Sequence, residues 1–226
     1  MHHRKTDMKP LNNTNKPIGE PLSSHVKVTR EDWLNAAKEV LISHGAADVK
    51  VLSLSQKLGV SRSSFYWYFK DRKDLLRALL ADWEARNTRS IVAKCEQPSV
   101  NVTQAVCNFF RCFIDEDLFD QGLDFAVREW SRRDQAVRKL IDVADAERIR
   151  AATDMLKRFG YEEKDADARA RILYFMQLGY HALEVRESMD LRMSRLEPYL
   201  KGFIGYDPNP QAVAEFRAFA LSRQQS

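Results

Sequence analysis

The sequence predicts an all-α protein: a small N-terminal three-helix domain built around a helix-turn-helix, then a larger helical domain. Three observations carry that expectation. Apolar residues recur at i, i+3 and i+4 through segment after segment, the spacing of one helix face. Period-two alternation never lasts long enough to argue a strand, and the chain holds only eight glycines. Two short apolar segments joined through a glycine, LSQKLGVSRSSF, have the pattern of two helices packed at a steep angle. With 226 residues, 44% of them hydrophobic and 30% charged, the chain is long enough to bury substantial cores.

In chain order, residues 1–26 carry Pro10, Pro17 and Pro21 with three asparagines and read as a disordered tail; they lack the apolar stretch of a secretory signal. Order begins at VTREDWL, where Thr29 is placed to cap a helix whose first turn holds Glu31 and Asp32. Trp33, Ala37, Val40, Leu41 and His44 follow at helical spacing, and Gly45 ends the run. Ser53–Leu58 predicts a short helix with Leu54 and Leu58 on its buried edge. Gly59 then supplies a positive φ for the turn, Val60 plugs the core, and Ser61 caps a second short helix over Ser61–Tyr68. Asp71 caps the next helix, with Asp74 at the capping-box position. Its stripe of Leu75, Leu76, Leu79, Leu80 and Trp83 extends to about Cys95. Beyond Pro98, helices are expected over Val102–Phe119, Leu123–Arg132, Asp134–Phe159, Asp165–Glu187 and Leu191–Phe203. Gly160, Pro198 and GYDPNP (205–210) punctuate them. The expected layout is a tail (1–26), a helix-turn-helix domain (27–87) and a second helical domain (88–226).

Charge divides the chain in the same way. Residues 1–94 hold 17 Lys and Arg against 10 Asp and Glu, a net of +7; residues 95–226 hold 19 against 22, a net of −3. A basic front points to a polyanionic partner. No apolar run approaches the roughly 18 residues of a membrane span. An enzyme is not expected. The five histidines, His2, His3, His25, His44 and His181, are scattered, with no metal-ligand pairing, phosphate-cradling glycine loop or nucleophile elbow, so neither cofactor nor metal is expected. Cys95, Cys107 and Cys112 fit no disulfide framework or zinc spacing and read as buried thiols, with redox sensing as the alternative.

One stretch, SSFYWYFK (63–70), sets five aromatics in succession. Successive helical residues point about 100° apart, so five cannot share one core. Phe65 and Phe69, four apart, take the face of Leu54, Leu58 and Val60. Tyr66, Trp67 and Tyr68 are then expected to point outward, among Arg62, Ser63, Ser64, Lys70, Arg72 and Lys73. Hydroxyls, an indole N–H and cations on one short helix are donors suited to phosphate oxygens.

The stretch from Val28 to Leu80, most of all LSQKLGVSRSSFYWYFKDRKDLL, resembles the N-terminal domain of the TetR family of bacterial transcriptional regulators. The resemblance implies a bacterial, cytoplasmic repressor that binds a palindromic duplex operator as a homodimer and is released by a small organic effector. A regulator answering to a protein partner or to cysteine oxidation is the alternative. It also implies a helix-turn-helix over Lys50–Phe69, with Arg62, Ser63 and Ser64 reaching base edges. Tyr66, Trp67 and Tyr68 would touch backbone and thymine methyls, and Arg72 a phosphate; Lys50 and Lys70 are further expected DNA contacts. Leu52 departs from members with a base-reading arginine there. Arg62 alone on this helix can grip a guanine bidentately.

Two further expectations concern the second domain. Ile172, Met176, Gly179 and Leu183 share a stripe on Asp165–Glu187 and form either a dimer seam, with Leu191–Phe203 completing a four-helix bundle, or an internal packing face. The opposite stripe, Tyr174, Gln177, Leu178 and His181, sets polar tips on an apolar face. With Phe109, Phe113, Phe125, Arg128 and Trp130 it is the candidate effector pocket, Arg128 offering a cation for a carboxylate. The alternative is that Gln177 and His181 bond to neighbours and nothing binds.

Overall fold

Residues 28–223 are described by a computed structural model; the expected tail, 1–26, lies outside the described residues. Twelve α-helices and no strand occur among the described residues. The first, α1 (Arg30–His44), starts from a reciprocal cap. Asp32 N donates to Thr29 Oγ1 at 3.2 Å and Thr29 N donates to Asp32 Oδ2 at 2.7 Å, satisfying two otherwise free amides. Gly45 ends α1 at φ +83°. A 3-10 turn, Ala46–Asp48, leads to α2 (Val51–Lys57). Gly59 (φ +67°) turns the chain into α3, which is only Arg62–Phe65. The expected recognition helix is therefore half the length foreseen. Past Phe65 the amides of Tyr66, Trp67 and Tyr68 bond three residues back, to Ser63, Ser64 and Phe65, tightening the chain into turns.

Asp71 caps α4 (Arg72–Trp83) through Asp74 N, as expected. The helix foreseen as running on to Cys95 is interrupted by a π-helical turn, Glu84–Thr88, before α5 (Arg89–Glu96). The remainder is α6 (Val102–Arg111), α7 (Gln121–Ser131), α8 (Gln135–Lys157), α9 (Glu163–Ala182), α10 (Met189–Ser194), α11 (Leu196–Ile204) and α12 (Pro210–Ser222). Val102–Phe119 stops eight residues early, where residues 112–118 break into turns, and Leu191–Phe203 divides at Arg195. Helix α12 has no counterpart among the expected helices, which end at the GYDPNP punctuation. Asn209 caps it at Ala212 N, and Pro210, whose missing N–H costs nothing at the first position, opens it.

Two cores form. The first gathers Trp33, Leu54, Phe65, Phe69, Leu75, Leu79 and Trp83, with Trp33 meeting Phe65 edge-on at 5.3 Å. It does not close at residue 87: Leu123 and Val127 of α7 and Val137 and Ile141 of α8 complete it. The helix-turn-helix domain is thus seated on α7 and α8. The second core joins α5, α6, α8, α9, α11 and α12 around Phe109, Met155, Leu173 and Leu200.

Candidate functional site

The helix-turn-helix sorts its aromatics by backbone geometry. Phe65 and Phe69 are buried and stack on one another at 5.4 Å, whereas Tyr66 is 62% and Trp67 78% exposed. An exposed tryptophan in the turn that follows α3 leaves a large apolar surface in water with no partner in the fold. Arg62, Ser63 and Lys70 are exposed beside it, and Lys73 is exposed at the start of α4. No carboxylate of the described residues pairs with Arg62, Lys70 or Lys73. Ser61 Oγ meets Ser63 Oγ at 2.8 Å instead of capping α3, and the half-buried Ser64 donates to Ser61 O at 2.8 Å. Lys50 lies at the N-cap of α2, 3.1 Å from Asp48 Oδ1 on the exposed surface.

Two residues expected at this surface are turned inward. Tyr68 is half-buried on the first core, and its hydroxyl donates to Val28 O at 2.8 Å, which ties the chain entering α1 to the tip. The turn after Phe65 advances each residue by about 120° instead of 100°, which swings Tyr68 off the outer face. Arg72 donates from Nε to Val49 O at 2.6 Å and from Nη2 to Ala46 O. Its charge holds the 3-10 turn that precedes α2 rather than standing free.

The helix-turn-helix and its exposed tip fall within the region matched by the family model for bacterial regulatory proteins of the tetR family, which covers residues 34–79. The N-terminal domain is a TetR-family domain. Over 59 residues the chain is 34% identical to the uncharacterized HTH-type transcriptional regulator TtgW of Pseudomonas putida, a match spanning 26% of this chain and 44% of that protein. It is also 34% identical over 61 residues to the tetracycline repressor protein class D of Escherichia coli, 27% of this chain and 28% of the repressor. The sequence matches therefore span less than half the length of either relative. The fold extends further: the crystal structure of Mycobacterium smegmatis AmtR superposes with a TM-score of 0.59 over 90% of this chain and 97% of its own, at 18% identity.

Behind the TetR-family domain, the eight residues foreseen as one effector pocket are dispersed. Phe109 is fully buried in the second core. Phe113 lies edge-on to it at 5.2 Å. Phe125, Trp130 and His181 line an open cleft of about 1360 Å³ that runs between α1, α4 and α7. Gln177 instead lines a cavity among α6, α9 and α11, and its amide nitrogen lies 2.7 Å from His181 Nε2. The His181 ring is enclosed by Phe113, Phe119 and Phe125, with centroids 5.6, 6.0 and 6.4 Å away, and its Nδ1 is buried without a partner. Burial lowers its pKa to about 4, because the charged ring has lost water, so His181 is neutral at pH 7.

Arg128 and Tyr174 are engaged elsewhere. Arg128 donates from Nε to Asp124 at 2.8 Å and from both Nη atoms to Asp145 at 2.8–3.0 Å, leaving no free fork for a ligand carboxylate. Tyr174 donates to Asp145 at 2.6 Å and accepts from Arg148 Nη1 at 3.0 Å. Arg148 is fully buried; it also donates to Asp124 at 3.1 Å and to Thr88 Oγ1 at 3.1 Å. Burial alone raises the Asp124 carboxyl, but Arg148 and Arg128 outweigh it and hold it below the ordinary carboxylate range. Trp83 Nε1 reaches the same carboxylate at 2.7 Å, while Asn87 bridges to the Asp120 backbone at 2.9 and 3.0 Å. Two arginines and two aspartates, neutral in sum, thus pin the π-helical turn to α7, α8 and α9. A sequence signal existed: Arg148 falls on the Ala144–Ala152 stripe of α8, where a charge has to be buried.

Proposed function

We propose that the protein is a DNA-binding transcriptional regulator, a repressor that grips a palindromic operator as a homodimer and lets go when a small organic effector binds its second domain. The observation that carries this is the exposed Tyr66–Trp67 pair on the helix-turn-helix, set between the unpaired cations Arg62 and Lys70. Arg62 is assigned to guanine O6 and N7 in the major groove, Ser63 and Ser64 to neighbouring base edges, and Tyr66 and Trp67 to sugar and thymine methyls. Lys50 and Lys70 are assigned to phosphates, with Lys73 joining them in place of Arg72. The work of such a regulator belongs to the bacterial cytoplasm, where the duplex is.

Dimerisation is supported by an uncovered apolar strip. Ile172 and Phe175 on α9 are 56% and 51% exposed, Leu183 at its end 77%, and Tyr199 on α11 40%. Gly179 has open space where a Cβ would stand, so a second backbone can come close. Met176 is turned into the α9–α11 cavity and leaves the strip; Phe175 takes its place. The polar knot at the π-helical turn supplies the coupling: a ligand that shifts α9 moves Tyr174, and with it the groups that fix the start of α5. Oxidation control is disfavoured, because Cys95, Cys107 and Cys112 are all buried and burial pushes the last two thiols up to about 12. The test is selection of bound duplexes from a random DNA library. Enrichment of one two-fold symmetric site, lost in Trp67→Ala, is expected; a protein that retains no duplex overturns the reading.

A further inference from the structure

We propose that the effector is an amphipathic oxyanion, a carboxylate on a medium-length apolar tail, with its head between Arg192 and Arg86 and its tail in the cavity among α6, α9 and α11. The inference rests on the ligand-controlled reading above and names the ligand class. Arg192, on α10, is half-buried with its guanidinium carbon 5.3 Å from the centre of the Tyr180 ring, and no carboxylate of the described residues pairs with it. The neighbouring acid, Glu187, is already held by Arg195 at 2.5 Å and by the Tyr180 hydroxyl. Arg86, in the π-helical turn, also lacks an acidic partner: Nη2 donates to Glu116 O at 2.7 Å, and Nε is buried with no partner at all.

Both arginines line one depression of about 700 Å³, floored by Phe113, Phe119 and Met189. The acids at its edge do not balance them. Asp120 is paired with Lys38 at 3.3 Å, Glu187 is engaged as described, and the Glu116 side chain is exposed. Arg223, a fourth cation there, is already paired with Asp115 at 2.8 Å. Lys38, Arg86, Arg192 and Arg223 line the hollow against the carboxylates of Glu116, Asp120 and Glu187, and neither Arg86 nor Arg192 makes a direct ion pair, so the hollow favours an anion.

Ile114 and Arg192 line this depression and also the smaller cavity beyond it, which holds about 60 Å³ among Phe110, Met176, Met193, Leu200 and Phe203. A tail passing Ile114 enters a space several times what one water fills, walled by two methionines whose unbranched chains adapt to shape. Its head meanwhile touches the turn that joins the DNA-binding domain to α5, so binding the anion acts directly on Arg86.

The test uses the full chain and three probes that differ only in head group: octanoate, 1-octanol and octylamine, titrated by calorimetry without DNA. Octanoate is expected to bind at least tenfold more tightly than the other two. Arg192→Gln, at a half-exposed residue without an ion pair, should keep its melting temperature and lose that preference, with 1-octanol affinity unchanged. Arg86→Gln should reduce it by several-fold. Equal binding of the three heads, no octanoate binding at millimolar concentration, or a preference that survives Arg192→Gln overturns the proposal. A separate arm adds octanoate to the operator complex. Octanoate bound without loss of operator affinity leaves the site standing and overturns effector release.

Discussion

Arg72 and Tyr68 turn inward where the sequence pattern pointed them outward, and His181 is walled in by aromatic rings; Arg72 and His181 give measurable consequences. Because Arg72 grips two backbone carbonyls, Arg72→Ala should destabilise the fold by about 1.5–3 kcal/mol, the range for a hydrogen bond from a charged group. Urea unfolding reads this, and the salt dependence of DNA binding should keep its slope; a flattened slope with unchanged stability would return Arg72 to a phosphate. His181 gives a pH signature. Its folded pKa, about 4, lies below its ordinary value of 6.5, so as pH falls from 6.5 the unfolded chain takes up a proton that the folded chain refuses. Stability contributed by neutral His181 is therefore whole above pH 6.5 and declines down to about pH 4. Asp124, lowered from 3.8, acts beneath that window, and Glu39 and Glu187, lowered from 4.5, act at its acid end. Unfolding midpoints in urea between pH 6.5 and 4.5 should slope in the wild type and flatten in His181→Phe; parallel curves would contradict the burial of a neutral ring.

The π-helical turn Glu84–Thr88 is where the two domains are fastened. Asn87 is fully buried and bonds to both the N–H and the C=O of Asp120; Asn87→Ala strands the N–H at about 1–3 kcal/mol, while the C=O keeps Asp124 N at 3.0 Å. Thermal melts should show that loss, while a variant as stable as the wild type would mean the turn is not held there. This element was not legible in the sequence. Leu75, Leu79 and Trp83 announce a helix, but a π turn has no composition of its own and is selected by what Asn87, Thr88 and Trp83 find on α7 and α8. The helix-turn-helix was legible because its signals are local: the Thr29 and Asp71 caps, Gly59, and the i, i+4 pair Phe65 and Phe69. The reach of α3 was not, since tightening after Phe65 is decided by Tyr68 finding Val28 forty residues away. The second domain's polar stripe was seen, but Tyr174 and Arg128 proved to be partners of Arg148 and Asp145, long-range pairings with no trace in spacing.

At the scale of the whole molecule, the basic N-terminal part carries the tip, and the uncovered strip on α9 is the proposed seat of a second copy. Gly179→Arg should fold, since nothing lies within 4 Å of the position of its Cβ, and yet sediment as a monomer with weakened operator affinity. A variant that stays dimeric moves the seam off α9. The exposed tip is proposed to read DNA, and a two-fold protein should read half-sites about 34–36 Å apart or a multiple of that. The most direct measurement is the sequence profile selected from random duplexes by the wild type and by Arg62→Ala. We predict a palindrome for the wild type, with the variant losing discrimination at one base pair per half-site, at a cost of about 1–3 kcal/mol. A profile unchanged by Arg62→Ala, or no palindrome at all, would contradict it.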